Sequence, residues 1–263
     1  MTLHNGFALS RLKVRPGKMC SLRWSTCGIK MGFVRKWDST CPQVYDSWQS
    51  NGAKWVIQDL PPEDDETALQ LLRENLIPDE TLCALSNLKD DPESFRSISD
   101  FWLACFAQRM SLACYTEKEG KRTLVAINVC VVDTIGDSVP KIEIEGEAWK
   151  NVFNALEYIE HKCDPFKYFG YDILLHALGL VVKKEYRGEK LGSRMLSARE
   201  PLSRPHGIKA TSTVFTGPAS QISAARSGFK SICEVSLKEL ADNGLKYPPD
   251  ENRSIKLMVK SFA

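Results

Sequence analysis

The apolar period changes several times along the chain, and each change marks an element. Residues 55–58 read as a first strand. Pro61-Pro62-Glu63-Asp64-Asp65-Glu66 then opens a helix with proline and acids in the first turn, where both are favoured. Ala68, Leu69, Leu71, Leu72 and Leu76 supply its apolar face. Asp91-Pro92 opens a second helix carrying Phe95, Ile98, Phe101, Trp102 and Phe106. Residues 111–116 and 123–132 are strands joined across 117–121 as a hairpin. Helical periodicity returns over 147–161. A β-branched apolar run at 178–182, a helix from Leu191, a strand over 208–215, a helix stopped by Gly228 and a last strand over 254–259 follow. This alternation predicts an α/β chain without internal repeats.

Composition narrows the class. The 263 residues suffice for one large domain with an extension. A net charge of +2 predicts neither nucleic acid nor a membrane surface as partner. Nine cysteines without Cys-x-x-Cys or zinc spacing predict reduced thiols and no metal. The longest apolar run, residues 173–182, falls short of the roughly 18 to 20 residues of a membrane span. The expectation is a soluble, cytoplasmic monomer. The first segment differs, because no Asp or Glu occurs through Trp37 while eight Lys and Arg do. Such a bias suits either a disordered basic arm, a start at Met31, or a mitochondrial transit peptide. The predicted division is therefore a basic extension over 1–50, poorly ordered to about 32, and a folded domain over 51–263.

The chemistry concentrates between Leu178 and Ser197. A short strand feeds Arg187-Gly188-Glu189-Lys190-Leu191-Gly192, and a helix begins at Leu191. Free N–H groups at that N-terminus, with roughly half a positive charge, predict a bound phosphate. The run resembles the acetyl-CoA signature of the GNAT superfamily of N-acetyltransferases, Arg/Gln-x-x-Gly-x-Gly/Ala, on Arg187, Lys190 and Gly192. Lys190 stands where that motif has its first glycine. Thr213-Val-Phe-Thr-x3-Ser-Gln221, with Ala224-Ala-x2-Gly-Phe229, resembles a block of the insect arylalkylamine N-acetyltransferase-like proteins. Asp79-Glu80-Thr81-Leu82 resembles that family's Asp-Glu-(Pro)-Leu element, with threonine in place of the common proline.

The resemblance implies a mixed, largely antiparallel sheet flanked by helices, with two central parallel strands splayed to admit acetyl-CoA. It also implies the roles. Leu180, Val181, Val182, Arg187, Gly188, Glu189, Lys190, Leu191, Gly192 and Ser193 would hold the co-substrate. Glu80 would be general base, with Ser220 and Thr216 as catalytic hydroxyls, and the acceptor would be an arylalkylamine or an agmatine-like amine. Acetylation of protein lysines or N-termini, and a degenerate acyl-CoA-binding module, stand as alternatives. Read from the residues alone, Asp79-Glu80 is equally a solvated turn and Ser220 a first-turn helix residue. His176, lone in an apolar strand, reads as a satisfied core residue. Tyr168 and Tyr171 suit either an acceptor pocket or core packing, and the acids of 61–66 either a cation or solvent.

Overall fold

The computed structural model describes residues 32–135 and 143–262; the acid-free segment through Met31 lies outside the described residues. In chain order the elements are β1 (Val44–Ser50), β2 (Ala53–Asp59), α1 (Asp65–Asn75), α2 (Thr81–Leu85), α3 (Pro92–Ala107), β3 (Leu112–Lys118) and β4 (Lys121–Thr134). There follow α4 (Glu147–Lys162), α5 (Pro165–Phe169), β5 (Ile173–Val182), α6 (Leu191–Ser203), β6 (Ala210–Phe215), α7 (Pro218–Arg226), β7 (Lys230–Ser236), α8 (Leu237–Asp242) and β8 (Ser254–Ser261). The strands form one sheet in the order β1-β2-β3-β4-β5-β6-β8-β7. Every neighbouring pair is antiparallel except β5 with β6. This is a mixed sheet with helices on both faces, the GNAT-like arrangement.

The middle of the sheet is apolar on both sides, as β4 shows. Ile127, Val129 and Val131 join the core that α1, α3 and α4 cover. Ala126, Cys130 and Val132 join the core under Met195, Ala198 and Leu202 of α6. A strand covered on both faces reads as a continuous apolar run, which is why 123–132 shows little alternation. Two hairpins are closed by two-residue turns, Asn51-Gly52 and Glu119-Gly120, in which both residues have positive φ. Such turns match the right-handed twist of paired strands.

The first strand is β1 and not the segment at 55–58, so the sheet begins inside the stretch assigned by sequence to the extension. β1 buries no residue fully, and an edge strand of that kind lacks the alternation that marks a half-buried one. It is fastened instead by Trp48, whose ring stacks on Trp55 at 5.8 Å. The pattern also omits α2, α5 and α8, which are five or six residues long and too short to display a helical period, and β7, of whose seven residues only Cys233 and Val235 are buried.

α3 and α4 are joined at their N-termini. Asp91 caps α3 by accepting from Ser94 N at 3.3 Å, and its other oxygen accepts from Ala148 N at 3.2 Å. Ser94 Oγ accepts from Trp149 N at 2.8 Å. Gly146 makes the approach possible, because a Cβ there would overlap the amide and hydroxyl of Ser94, and its φ of 78° is left-handed besides. The joint fixes the two helices that supply one wall of the cleft described next.

Candidate active site

β5 and β6 pair at only two positions, Leu175 with Thr211 and His176 with Ser212. Beyond them the strands part, as the sequence resemblance implies, and a cleft of about 540 Å³ opens between their C-terminal halves. A bulge helps to turn β5. Asn128 of β4 faces Leu180 while Cys130 faces Ala177, which leaves Leu178 and Gly179 opposite one residue. Side chains take up the two carbonyls of the bulge: Trp102 Nε1 donates to Leu178 O at 3.0 Å and Asn128 Nδ2 donates to Gly179 O at 2.8 Å. Buried carbonyls left without such donors would cost roughly 1 to 3 kcal/mol each.

At one end the cleft meets the start of α6. Lys190 is its N-cap residue, in the left-handed region at φ 57°, and no side chain caps the helix. The first-turn N–H groups therefore keep their capacity for an anion. Lys190 holds this conformation at the position where the family motif has glycine. Gly188, at φ 92°, makes the other left-handed turn of the loop. Arg187 turns back: its Nε donates to Val182 O at 3.1 Å, and Nη1 pairs with Asp79 Oδ2 at 2.8 Å. That ion pair joins the phosphate-type loop to the segment before α2 and was not visible in the sequence, since its partners lie 108 positions apart.

Glu80 is the N-cap of α2. Its Oε1 accepts from Leu82 N at 3.1 Å and its Oε2 from Cys83 N at 2.7 Å, while Thr216 Oγ1 also donates to Oε1. The carboxylate thus has a structural task and lines the cleft as well. Ser220, in the first turn of α7, donates to Gly217 O at 2.8 Å and lines the cleft too. The structure brings Glu80, Thr216, Ser220, Leu180, Val181, Val182, Arg187, Gly188, Lys190, Leu191, Gly192 and Ser193 to this one cavity. Glu189 is the exception: it is exposed on the loop and does not line the cleft.

The α4 side of the far end of the cleft was missed, whereas the aromatic face of α3 was one candidate for a pocket. Ile98, Phe101 and Trp102 of α3 form its wall with Trp149, Val152 and Phe153 of α4. Glu157 and Glu160 follow on the same helix, and burial pushes the Glu157 carboxyl above the usual range. A signal existed, because two glutamates three positions apart continue the apolar face of 147–161. His176 is buried, with Nδ1 3.0 Å from Ser212 Oγ and Nε2 3.3 Å from Glu160 Oε1. It is a satisfied core residue that also borders the cavity. Tyr168 is exposed outside it, and Tyr171 stacks on Phe169. Among the acids of 61–66, Asp64 accepts from Tyr115 Oη and Asp65 pairs with Arg109, so these two tie α1 to its neighbours. The Cys233 thiol, raised to about 11 chiefly by burial, lies in β7 away from the cleft.

Among the described residues, no group of three His, Cys, Asp or Glu is placed to hold a metal ion, and no helix is long and apolar enough to cross a membrane. No protein-family model and no curated protein matches the chain. Solved structures do. A protein assigned as arylalkylamine N-acetyltransferase 7, from the yellow fever mosquito Aedes aegypti, superposes with a TM-score of 0.81 at 28% identity, over 88% of this chain and 100% of that one. Arylalkylamine N-acetyltransferase 2 of Aedes aegypti shares the fold at a TM-score of 0.68 and 20% identity, over 80% and 99% of the two chains. So does the polyamine N-acetyltransferase of Drosophila melanogaster, which forms N-acetylagmatine, at 0.64 and 19%, over 79% and 99%. The chain is homologous to the insect arylalkylamine N-acetyltransferases and shares the fold of the GNAT superfamily.

Proposed function

We propose that this protein transfers an acetyl group from acetyl-CoA to a small primary amine by direct attack. The observation that carries the reading is the continuity of one cleft, from the uncapped N-terminus of α6, through the gap between β5 and β6, to Glu80. Fit to the co-substrate is supported at both ends. The open helix start and Lys190 suit a pyrophosphate. The parted strand edges suit a pantetheine arm, whose amides can pair with backbone groups that β5 and β6 do not give each other. Bound there, acetyl-CoA supplies an activated acyl group as its thioester.

The protein's own groups would do the rest. An alkylammonium has a pKa near about 10.4, so freeing its lone pair at pH 7 costs on the order of 4 to 5 kcal/mol. Glu80 receives that proton, directly or through water, while Thr216 and the α2 amides hold the carboxylate in place. Backbone N–H groups between Leu180 and Val182 stabilise negative charge on the carbonyl oxygen. Ser220, turned from its local bond, donates toward the leaving sulfur. The aromatic wall of Phe101, Trp149 and Phe153 favours an acceptor with an apolar or aromatic body.

A thiol-release assay with acetyl-CoA tests the reading against a panel of arylalkylamines, agmatine, polyamines and a lysine peptide. Turnover on a small amine is expected. Silence across the panel, with CoA still raising the melting temperature, would instead support a binding protein without this activity.

A further inference from the structure

A fully buried cation without a carboxylate partner among the described residues lies behind the wall of this cleft. Arg199 of α6 has none of its surface exposed. Its Nε donates to Asn128 Oδ1 at 2.8 Å, and its Nη1 donates to Thr213 Oγ1 at 2.8 Å and to Thr211 Oγ1 at 3.3 Å. All three acceptors are neutral. Nη2 has no hydrogen-bond partner among the described residues, and the face of Phe229 lies 5.6 Å from the guanidinium carbon. Burial pushes the guanidinium pKa down, yet arginine starts so high that it stays charged.

The position of this charge relative to the cleft is specific. Asn128 is in β4, and its other side-chain atom donates to Gly179 O in the β5 bulge. Thr211 and Thr213 are in β6. The guanidinium therefore links both arms of the opening just where β5 and β6 separate, and it borders the cavity there. Holding two strands together does not require a charge, because neutral side chains can do so without the cost of an uncompensated ion. A buried cation is useful where negative charge appears during a reaction, since water cannot screen it.

We infer that Arg199 is a positioning residue for acyl transfer, its unneutralised charge favouring the negative charge that develops in the gap between β5 and β6. The inference rests on the proposed acetyl transfer. In that step a bond forms between the amine nitrogen and the acyl carbon as the carbon–sulfur bond breaks. The electron pair of the broken bond goes to sulfur. The ammonium proton goes to Glu80 before attack, and the second proton lost from the acylated nitrogen goes to the departing thiolate, which leaves as the CoA thiol. Arg199 touches none of these atoms and acts through space on the thiolate.

The test compares the full chain with Arg199→Met, a neutral side chain of similar length, and Arg199→Lys, which keeps the charge. The readout is the pH titration of the thiol of bound CoA, followed by thiolate absorbance in the ultraviolet, alongside kcat, KM and Tm. Arg199→Met should raise that titration by about one pH unit and lower kcat about tenfold, with the KM for acetyl-CoA within about threefold. Arg199→Lys should restore most of the shift. Thr211→Asp, which sets a carboxylate beside the guanidinium, should mimic Arg199→Met and carries the test should the methionine variant fail to fold. Variants that bind CoA and titrate as the wild type does would overturn the inference and leave a structural strut. A wild type that neither binds CoA nor turns over amines would overturn the acetyl-transfer reading itself, a separate outcome.

Discussion

Thr216, the residue after β6, donates its hydroxyl to Oε1 of Glu80 at the N-cap of α2, and so joins two groups 136 positions apart. The bond matters because Glu80 has two tasks. As a cap it satisfies the amides of Leu82 and Cys83. As a base it would need to stay in one place while the amine arrives. Gly217, next in the chain, comes so close to Thr81 that a Cβ there would lie 3.2 Å from Thr81 Oγ1. The starts of α2 and α7 are packed against each other, and the carboxylate is held between them.

Glu80→Gln separates the two tasks, since the amide oxygen can still accept from a backbone N–H. Turnover near neutral pH should fall at least about 100-fold, with Tm within a few degrees of wild type. The loss should shrink at high pH, where more of the amine is already free. A kcat–pH profile beside a melting curve distinguishes this from a lost cap, and a glutamine variant at full activity would remove Glu80 from the mechanism.

Gly192 lies in the first turn of α6 with ordinary dihedrals, and a Cβ added there would meet only Ser223 Oγ, at 3.9 Å. The fold therefore has room for Gly192→Val. The branched side chain would take space needed by a phosphate at the helix start. Affinity for CoA should weaken about tenfold or more, or roughly 1.4 kcal/mol, while Tm changes by less than about 2 °C. Isothermal titration of both proteins measures it; equal affinities would move the pyrophosphate elsewhere.

Lys190 holds a left-handed conformation that costs an L-residue about 1 to 2 kcal/mol. Glycine adopts it freely, although it also loosens the unfolded chain by about 0.4 to 1 kcal/mol. Lys190→Gly should therefore gain about 0.5 to 1 kcal/mol net, seen as a Tm increase of about 2 to 3 °C. A fall in Tm would show that the lysine side chain contributes more than its backbone costs.

Glu157 gives a pH dependence with a definite sign. Burial raises its folded-state pKa above the ordinary glutamate value, so the folded protein binds more protons than the unfolded chain across that interval. Its effect is to make stability fall as pH rises from the ordinary glutamate range through the raised value. Glu157→Gln should flatten the dependence of Tm on pH above the ordinary glutamate range and raise Tm where the wild-type carboxylate is ionised. A variant whose curve runs parallel to the wild type would show that this carboxylate is paired in solution.

The legible parts of the sequence were those with a long period or a local motif. The apolar face of α1, the aromatic face of α3 and the strand–loop–helix from Leu178 to α6 all declare themselves within one segment, although the strand itself begins earlier, at Ile173. Glu80, Thr216 and Ser220 were located by family resemblance, and spacing alone left each with an ordinary structural reading. What stayed hidden was relational. The Asp79–Arg187 pair, the Asp91–Ser94–Trp149 joint and the bonds of Arg199 to β4 and β6 are each made by residues from different elements. β1 was missed because its partners carry the apolar signal and it does not.

The two residue pairs between β5 and β6 have a thermodynamic meaning as well as a geometric one. Five strands stand on one side of that seam and three on the other, β6, β8 and β7, which are extensively bonded among themselves. A ladder this short leaves few backbone bonds across the seam, so amides beside it are expected to exchange with solvent more readily than those of the long ladders on either side. A molecule bridging the gap along both strand edges would then act as a keystone, with binding and cohesion of the sheet measured by the same free energy.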